Sequence, residues 1–221
     1  MLLGRVRDDG YVDTVVIFAG GARPVARRVR RVADSASFVI AADSGADHAF
    51  ALGQRIDLAV GDFDSLTADG LAALERSGVR IERHPTDKDA TDLELALDAA
   101  VAHRPRRIVV VGGAGGRLDH VVGELSLFAA PAYREVEIDA LLGRATVHVV
   151  HGERLLPGRV GAIVSLLALH GPAHGIVTDG LVYPLRGETL QPGSTRGLSN
   201  VFAATPARVT VERGVLLAIR P

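Results

Sequence analysis

The chain has 221 residues, of which 48% are hydrophobic and 23% are charged, with a formal net charge of −1 and no cysteine. This composition is typical of a globular protein with a buried core, and it excludes disulfide frameworks, thiolate metal sites and cysteine nucleophiles. The small net charge predicts no general attraction to nucleic acid or membrane, no apolar run approaches the roughly 20 residues of a membrane span, and the first residues lack the apolar core of a signal peptide. We therefore expect a cytoplasmic protein with no nucleic-acid or membrane partner.

Strand-like and helix-like segments alternate through the first two thirds of the chain. Short apolar or β-branched runs predict strands at residues 14–19, 38–41, 58–60, 79–82 and 108–111. Helix-like segments lie between them, including a predicted helix over residues 24–33. Apolar strands separated by helices are typical of a largely parallel sheet that is covered on both faces. We therefore expect an α/β fold with an open, mainly parallel sheet and flanking helices.

One helix has a clear start signal. Thr91-Asp92-Leu93-Glu94 fits a capping box, with Thr91 at the N-cap and Glu94 three residues later. An apolar stripe follows, and Pro105 lies just past its end. Asp92 is therefore expected in the first helical turn, where the positive end of the helix dipole favours its ionised form.

The character of the sequence changes near Leu142. Beyond it, short runs predict strands at residues 145–150, 162–169, 175–178, 181–185, 207–212 and 215–219. Gly, Pro and polar turns separate these runs and no helix-length pattern interrupts them, which is typical of a small sandwich or barrel. Residues 135–138 could complete the first sheet. We predict an α/β domain over residues 1–141 and a small all-β sandwich domain over residues 142–221.

Two clusters of carboxylates dominate the chain, Gly61-Asp62-Phe63-Asp64-Ser65 and residues 87–92, and each follows a predicted strand. Open α/β sheets bind ligands at the carboxyl ends of their strands. Asp62 and Asp64 are two residues apart, so in an extended segment they point to the same side. Convergent carboxylates repel one another unless a cation lies among them, and oxygen ligands without cysteine favour Mg²⁺ bound together with phosphate. Turn formation and helix capping alone do not explain both clusters, so the pattern predicts a magnesium-phosphate enzyme.

Other segments carry weaker signals. Asp43-Ser44-Gly45-Ala46-Asp47 lies at the end of a predicted strand and is either a turn or part of a site. The glycines of residues 112–116 could cradle phosphate, and Arg117 and Asp119 after them would add a bidentate phosphate donor and an acceptor for a sugar or base edge. Residues 193–200 are equally consistent with a plain loop between strands. Lys88, the sole lysine, places a compact positive charge inside the second acidic cluster.

Together these motifs resemble those of the thiamine pyrophosphokinase family. The matching segments, in the family's order, are Ala42-Asp43-Ser44-Gly45-Ala46, Gly61-Asp62-Phe63-Asp64-Ser65, Lys88-Asp89-x-Thr91-Asp92, Gly112-Gly113-x-Gly115-Gly116-Arg117-Leu118-Asp119-His120, Gly180-Leu181-x-Tyr183-Pro184-Leu185 and Gly197-x-Ser199-Asn200. The resemblance implies an amino-terminal α/β domain and a carboxyl-terminal β-sandwich. It also implies transfer of the terminal pyrophosphoryl group of ATP to the hydroxyethyl oxygen of thiamine, giving AMP and thiamine diphosphate.

The resemblance further implies roles for individual residues. By the family pattern, Mg²⁺ is held by Asp62, Asp64 and Asp92, with Lys88 as a further catalytic residue. The nucleotide and pyrophosphate path is lined by Asp43, Thr91, Gly115, Gly116, Arg117 and Asp119. Thiamine meets the carboxyl-terminal domain at Tyr183, Ser199 and Asn200. The family works as a homodimer with active sites shared across the interface.

The chain departs from the family in having no tryptophan, which some members place against thiamine. Tyr183 is the natural substitute, although it could instead be a strand residue that packs the β domain. Two other functions stay open: a pyrophosphokinase of the same fold acting on another alcohol such as a hydroxymethylpterin, and a catalytically silent thiamine- or nucleotide-binding regulator. The intact acidic residues, with Lys88 and Arg117, argue against the silent regulator.

Overall fold

The computed structural model describes residues 12–113, 115 and 117–221, which form two compact units. The first unit contains the chain up to Glu124 together with Ile138–Arg144. The second contains Leu125–Glu137 and Ala145–Pro221. Among the described residues, no helix is long and apolar enough to cross a membrane. The first 11 residues lie outside this description, and the expectation about a signal peptide rests on them. Gly116 lies outside it as well.

The first unit contains a sheet and flanking helices. Its strands are β1 (Val12–Gly21), β2 (Phe38–Ala42), β3 (Leu58–Gly61), β4 (Arg80–Arg83), β5 (Pro105–Gly113) and β6 (Glu137–Leu142). Its helices are α1 (Ala26–Ala33), α2 (Gly45–Ala51), α3 (Ala68–Ser77) and α4 (Asp92–Ala102), and α5 (Leu118–Phe128) begins in it. These elements alternate along the chain as the hydrophobic pattern predicts.

The strand order of this sheet is β4-β3-β2-β1-β5-β6. Strand β1 pairs in parallel with β2 and β5, and β3 pairs in parallel with β2 and β4. The middle of β1 is fully buried, as expected for a strand covered on both faces. The order changes direction at β1, which has β2 on one side and β5 on the other. In open sheets, this point of reversal is where ligands enter between the carboxyl ends of the strands.

The second unit is rich in antiparallel strands. Its strands are β7 (Ala145–Val150), β8 (Glu153–Leu156), β9 (Ile163–Asp179), β10 (Arg186–Leu190), β11 (Asn200–Val201), β12 (Ala207–Thr210) and β13 (Arg213–Arg220). Strand β9 is central, because β10, β11, β12 and β13 all pair with it in antiparallel fashion. Its first half pairs with β13 and its last residues with β12, and left-handed backbone at His170 (φ 55°) lies between the two halves. A bent strand that changes partners is how β-sandwiches form corners.

The predicted fold class is confirmed: an α/β unit with a mainly parallel sheet precedes a β-rich unit. The second unit differs from the prediction in three respects. Strands β8, β10 and β11 lie in segments where the sequence predicted no strand. The strands predicted at residues 162–169 and 175–178 are one continuous strand, β9, because Gly171 and Pro172 bend it without ending it. The strand predicted at residues 181–185 is wrong: this segment is a loop anchored by the buried side chains of Leu181 and Leu185, with the three residues between them exposed.

Candidate active site

Three carboxylates converge at the carboxyl ends of two neighbouring parallel strands. Asp43 directly follows β2, and Asp62 directly follows β3, with Asp64 two residues further on. One carboxylate oxygen of each lies within 4.8 Å of the others. Because β2 and β3 are adjacent and parallel, their carboxyl ends meet at the same edge of the sheet. Asp43, predicted to lie on the nucleotide path, is therefore part of the carboxylate cluster itself.

The loop that carries Asp62 and Asp64 bends and is not an extended segment. Phe63 adopts left-handed backbone (φ 63°), and its ring is buried in the core of the first unit. The backbone N–H of Asp64 donates to Asp62 Oδ1 at 3.3 Å, and Ser65 Oγ donates to Asp43 Oδ2. The two carboxylates converge as expected, but they do so because the chain turns around a buried aromatic ring.

Lys88 joins the two acidic clusters. Its Nζ donates to Asp62 Oδ2 at 2.8 Å and lies 3.1 Å from Asp92 Oδ1, an ion-pair distance. The side chains of Lys88, Asp62 and Asp92 are only 14%, 11% and 24% exposed. Asp92 is held in the first turn of α4, where the predicted cap is present: Thr91 Oγ1 accepts from the N–H of Glu94 at 3.2 Å. The structure thus brings Asp62, Lys88 and Asp92 together.

The charges in this cluster perturb one another. The hydrogen bond from Lys88 lowers the pKa of Asp62, whereas the negative charge of Asp62 raises the pKa of Asp64. Burial raises the pKa of Asp92 in spite of Lys88. Burial alone would lower the pKa of Lys88, but its hydrogen bonds with Asp62 and Asp92 raise it above the ordinary value. Lys88 is therefore a stable cation beside Asp62 and Asp92, and its single positive charge faces a cluster of four carboxylic side chains.

The donor set fits a divalent cation. Oδ1 of Asp43 is buried and has no hydrogen-bond partner, and Asp64 is under like-charge repulsion from Asp62. A hard cation bound by carboxylate oxygens would relieve both. The residues that meet around this point are Asp43, Asp62 and Asp64. Asp92 contacts Lys88 instead, so its role as a metal ligand stays a prediction.

The glycine-rich segments lie where the strand order reverses, at the ends of β1 and β5. Gly112 has left-handed backbone (φ 111°), and a Cβ added there would come within 2.1 Å of the carbonyl oxygen of Ala19. A Cβ added to Gly115 would come within 2.8 Å of Ala22 Cβ. These strand ends therefore approach one another backbone to backbone, and side chains at these glycine positions would not fit. Gly116 lies outside the described residues.

Arg117 and Asp119 form an exposed ion pair at the start of α5. Arg117 Nη2 lies 2.5 Å from Asp119 Oδ2, and the two side chains are 69% and 63% exposed. This hydrogen bond raises the pKa of Arg117 and lowers the pKa of Asp119. Both groups stay charged at neutral pH, and their place on the nucleotide path stays a prediction.

In the second unit, the structure brings Tyr183 and Asn200 together. The N–H of Tyr183 donates to Asn200 Oδ1 at 3.0 Å, and Asn200 Nδ2 donates to the carbonyl oxygen of Tyr183 at 2.8 Å. Asn200 is buried, whereas Tyr183 is 65% exposed. The alternative that Tyr183 packs the β domain as a strand residue is therefore wrong. Ser199, next in the motif, has left-handed backbone (φ 56°) and its N–H donates to Ser165 Oγ at 3.1 Å.

Sequence reasoning included Asp47 in the segment after β2 without giving it a role, and it missed Thr67. Asp47, four residues after Asp43, accepts hydrogen bonds from Thr67, which caps α3. The available signals were the spacing of four residues between Asp43 and Asp47 and the start of a helix directly after the loop. Neither signal indicates that Asp47 bonds Thr67, because 20 residues separate these two along the chain.

Comparison with known proteins places this architecture in one family. The model of the thiamin pyrophosphokinase catalytic domain matches residues 29–140, and the model of the thiamin pyrophosphokinase vitamin B1 binding domain matches residues 146–216. A catalytic domain followed by a vitamin-binding domain defines the class: the protein is an enzyme with two functional parts. The chain belongs to the thiamine pyrophosphokinase family.

Individual relatives agree with this assignment over nearly the whole chain. Thiamine pyrophosphokinase of Bacillus subtilis is 27% identical over 214 residues, which cover 94% of this chain and 98% of the relative. Its crystal structure superposes with a TM-score of 0.83 at 26% identity, covering 94% of this chain and 98% of that one. The structure of thiamin pyrophosphokinase from Geobacillus thermodenitrificans gives a TM-score of 0.79 at 28% identity, with 94% and 96% covered.

Proposed function

We propose that the protein transfers the pyrophosphoryl group of ATP to the hydroxyl of thiamine, producing thiamine diphosphate and AMP. The observation that carries the proposal is the lysine-bridged carboxylate cluster of Asp43, Asp62, Asp64, Lys88 and Asp92. It lies at the carboxyl ends of parallel strands, in a chain whose two domains both match this family. Such transfer depends on positioning and charge neutralisation more than on covalent catalysis.

The first unit would hold the metal and the polyphosphate. Asp62 and Asp64, with Asp43 beside them and Asp92 across Lys88, are the residues that would hold Mg²⁺. Bound Mg²⁺ supplies positive charge that neutralises phosphate oxygens. Lys88, kept protonated by its two carboxylates, adds a positive charge close to the same point.

Further groups would orient the nucleotide. Arg117 has a planar guanidinium suited to bidentate contact with phosphate, and Asp119 holds it in place. The segment around Gly115 and Gly116, together with Thr91, would complete the pyrophosphate path.

The second unit would hold thiamine. Thiamine carries a permanent positive charge on its thiazolium ring, which an aromatic face attracts. Tyr183 presents such a face, being exposed on a loop whose backbone Asn200 holds. In this arrangement Asn200 would act on thiamine by positioning Tyr183. Ser199 directly precedes Asn200 in the chain.

The proposal also includes a homodimer with shared active sites, and action in the cytoplasm. The exposed apolar side chains of Val177, Val182 and Leu198 in the second unit are suited to burial between subunits. Sedimentation equilibrium would check the dimer: a mass near twice 23.2 kDa is expected, and a monomer at working concentrations contradicts it. A cytoplasmic location accords with the absence of cysteine and with the use of ATP.

The deciding experiment supplies purified protein with thiamine, ATP and Mg²⁺ and resolves AMP from ADP. We expect AMP and thiamine diphosphate in a ratio of one to one, and loss of both when the divalent metal is chelated. ADP with thiamine monophosphate would contradict pyrophosphoryl transfer. A hydroxymethylpterin that drives AMP formation in place of thiamine would favour the related pyrophosphokinase, and calorimetric binding of thiamine without turnover would favour the silent regulator.

A further inference from the structure

Asp47 holds the residue that follows the acidic loop. Its Oδ1 accepts from Thr67 Oγ1 at 2.7 Å, and its Oδ2 accepts from the backbone N–H of Thr67 at 3.1 Å. Both carboxylate oxygens are therefore used in binding a single residue, side chain and backbone together. Such a two-point contact fixes the position and the orientation of Thr67 relative to α2.

Thr67 in turn begins α3. It is the N-cap residue, and its Oγ1 accepts from the N–H of Gly70 at 3.0 Å. A Cβ added to Gly70 would lie 2.0 Å from Asp47 Oδ1, so a side chain at that position would displace Asp47. The contact between α2 and the start of α3 thus combines the Asp47 side chain, the capping hydroxyl of Thr67 and the glycine at position 70.

The acidic loop is held between this contact and the sheet. At its amino end, β3 pairs with its neighbours, and the buried ring of Phe63 anchors the turn. At its carboxyl end, Asp43 accepts from Ser65 and Asp47 accepts from Thr67. Asp43 lies just before α2 and Asp47 lies in its first turn, so both residues that hold the loop of Asp62 and Asp64 come from the start of α2.

We propose that Asp47 is a positioning residue for the divalent cation. By fixing Thr67, it keeps Asp62 and Asp64 within reach of Asp43. It is not one of the carboxylates that converge on the candidate cation position, and its two oxygens accept from Thr67 instead. The inference rests on the metal role given to these carboxylates under the proposed function. Outer-shell hydrogen bonds of this kind typically change metal affinity by about 10- to 100-fold when they are removed.

The test measures Mn²⁺ binding directly, by the electron paramagnetic resonance of free Mn²⁺, without any substrate. Asp47→Ala is expected to weaken Mn²⁺ binding by about 10- to 100-fold. Asp47→Asn should stay within about threefold of the unmodified protein, because its amide can still accept from the Thr67 N–H and donate to Thr67 Oγ1. In the thiamine assay, the Mg²⁺ concentration for half-maximal rate should rise in Asp47→Ala while the KM for thiamine does not change.

Asp57 offers a matched control at the opposite end of the same sheet. Its Oδ2 accepts from the backbone N–H of Val39 at 2.8 Å, so it is a carboxylate of the same structural kind placed away from the cluster. Asp57→Ala should lower thermal stability and leave Mn²⁺ binding unchanged. If Asp47→Ala does not fold, Thr67→Val takes its place, because it keeps the side-chain volume and removes only the hydroxyl, and Thr67→Ser is its control.

Each outcome has a distinct meaning. Wild-type Mn²⁺ affinity in folded Asp47→Ala or Thr67→Val overturns the positioning role alone. Equal weakening in Asp57→Ala overturns it as well, because the effect would then be one of general stability. Absence of Mn²⁺ binding in the unmodified protein overturns the inference together with the metal part of the proposed function. Mn²⁺ binding without thiamine turnover would contradict the proposed reaction and leave the positioning role in place.

Discussion

The acidic cluster of the first unit and the Tyr183 loop of the second unit are built in opposite ways. In the first unit, ionisable side chains contact one another: Lys88 bonds Asp62, and Asp62 repels Asp64. In the second unit, the buried side chain of Asn200 bonds only backbone in the contacts described, and it leaves the ring of Tyr183 exposed. The first arrangement controls charge, and the second controls the position of an apolar face.

The two units should therefore respond differently to substitution. A change of charge in the first unit should alter catalysis while the fold persists, because the side chains lie beyond the ends of the strands. A change in the second unit should alter either the hydrogen bonds that hold the Tyr183 loop or the aromatic face that Tyr183 presents. Single substitutions in each unit separate these responses.

Asp64→Asn should give the largest loss of activity. It keeps the shape of the side chain and removes one negative charge from the cation site, and loss of one preorganised electrostatic group costs roughly 100- to 1,000-fold in kcat. Asp62→Asn and Asp92→Asn should behave similarly. The measurement is kcat at limiting Mg²⁺, with Asp69→Asn, an exposed carboxylate in the first turn of α3, as the control.

Asp64→Asn should also affect the stability of the metal-free protein. Asp62 raises the pKa of Asp64, so the stability linked to protonated Asp64 is present at low pH and is lost as the pH rises through the folded-state value. Removing this charge should therefore leave the metal-free melting temperature at pH 7 unchanged or higher. If folded Asp64→Asn has the wild-type kcat at limiting Mg²⁺, Asp64 is not part of the cation site.

Asn200→Ala should mainly affect stability. It removes three hydrogen bonds, to the N–H and carbonyl of Tyr183 and to the N–H of Val201, from a buried position. A buried backbone group left without a partner lowers the free energy of unfolding by about 1–3 kcal/mol when water cannot reach it. Because water can partly rehydrate these groups, we expect a total loss of about 2–4 kcal/mol. Denaturant unfolding measures this loss, and the KM for thiamine should rise with it.

The control for Asn200 lies at the other end of the same loop. Thr178 Oγ1 accepts from the N–H of Leu185 at 2.8 Å, so Thr178→Val removes a comparable side chain–backbone bond that does not hold Tyr183. Thr178→Val should lower stability and leave the KM for thiamine unchanged. An equal rise in KM in both variants would contradict a specific role of Asn200.

Tyr183→Leu should have the smallest effect. It keeps apolar bulk and removes the aromatic face, and a cation–π contact is worth about 0.5–2 kcal/mol, or roughly 2- to 30-fold in KM for thiamine. The KM for ATP and the thermal stability should change little, because the side chain is exposed. Tyr183→Phe should keep near-normal affinity. An unchanged KM for thiamine in Tyr183→Leu would place the aromatic platform elsewhere.

Local signals in the sequence predicted much of the first unit. The strands ending near Asp43 and Asp62 are uniformly apolar, and the cap at Thr91 depends on residues only three positions apart. The convergence of the acidic residues was predictable for the same reason, since parallel strands end together. The turn at Phe63 could not be predicted in this way. A bulky residue rarely adopts left-handed backbone, and here burial of the Phe63 ring in the core stabilises it.

Contacts between distant residues account for what the sequence did not reveal. Asn200 bonds the backbone of Tyr183 from 17 positions away, and Asp47 bonds Thr67 from 20 positions away. The motifs contain Tyr183, Asn200 and Asp47, but they do not indicate which residues bond one another. The length of β9 was hidden for a related reason: Gly171 and Pro172 are typical of turns, and only the pairing of both halves of β9 keeps the strand continuous.

The buried ring of Phe63 has a thermodynamic consequence. Because this residue is part of the core and also separates Asp62 from Asp64, the geometry of the carboxylates exists only when the core is assembled. A cation that binds the folded chain and not the unfolded chain must then add to the free energy of unfolding, by about 2.7 kcal/mol at 100 times its dissociation constant. Core substitutions around Phe63 would weaken cation binding from a distance, and divalent ions would protect the first unit against heat.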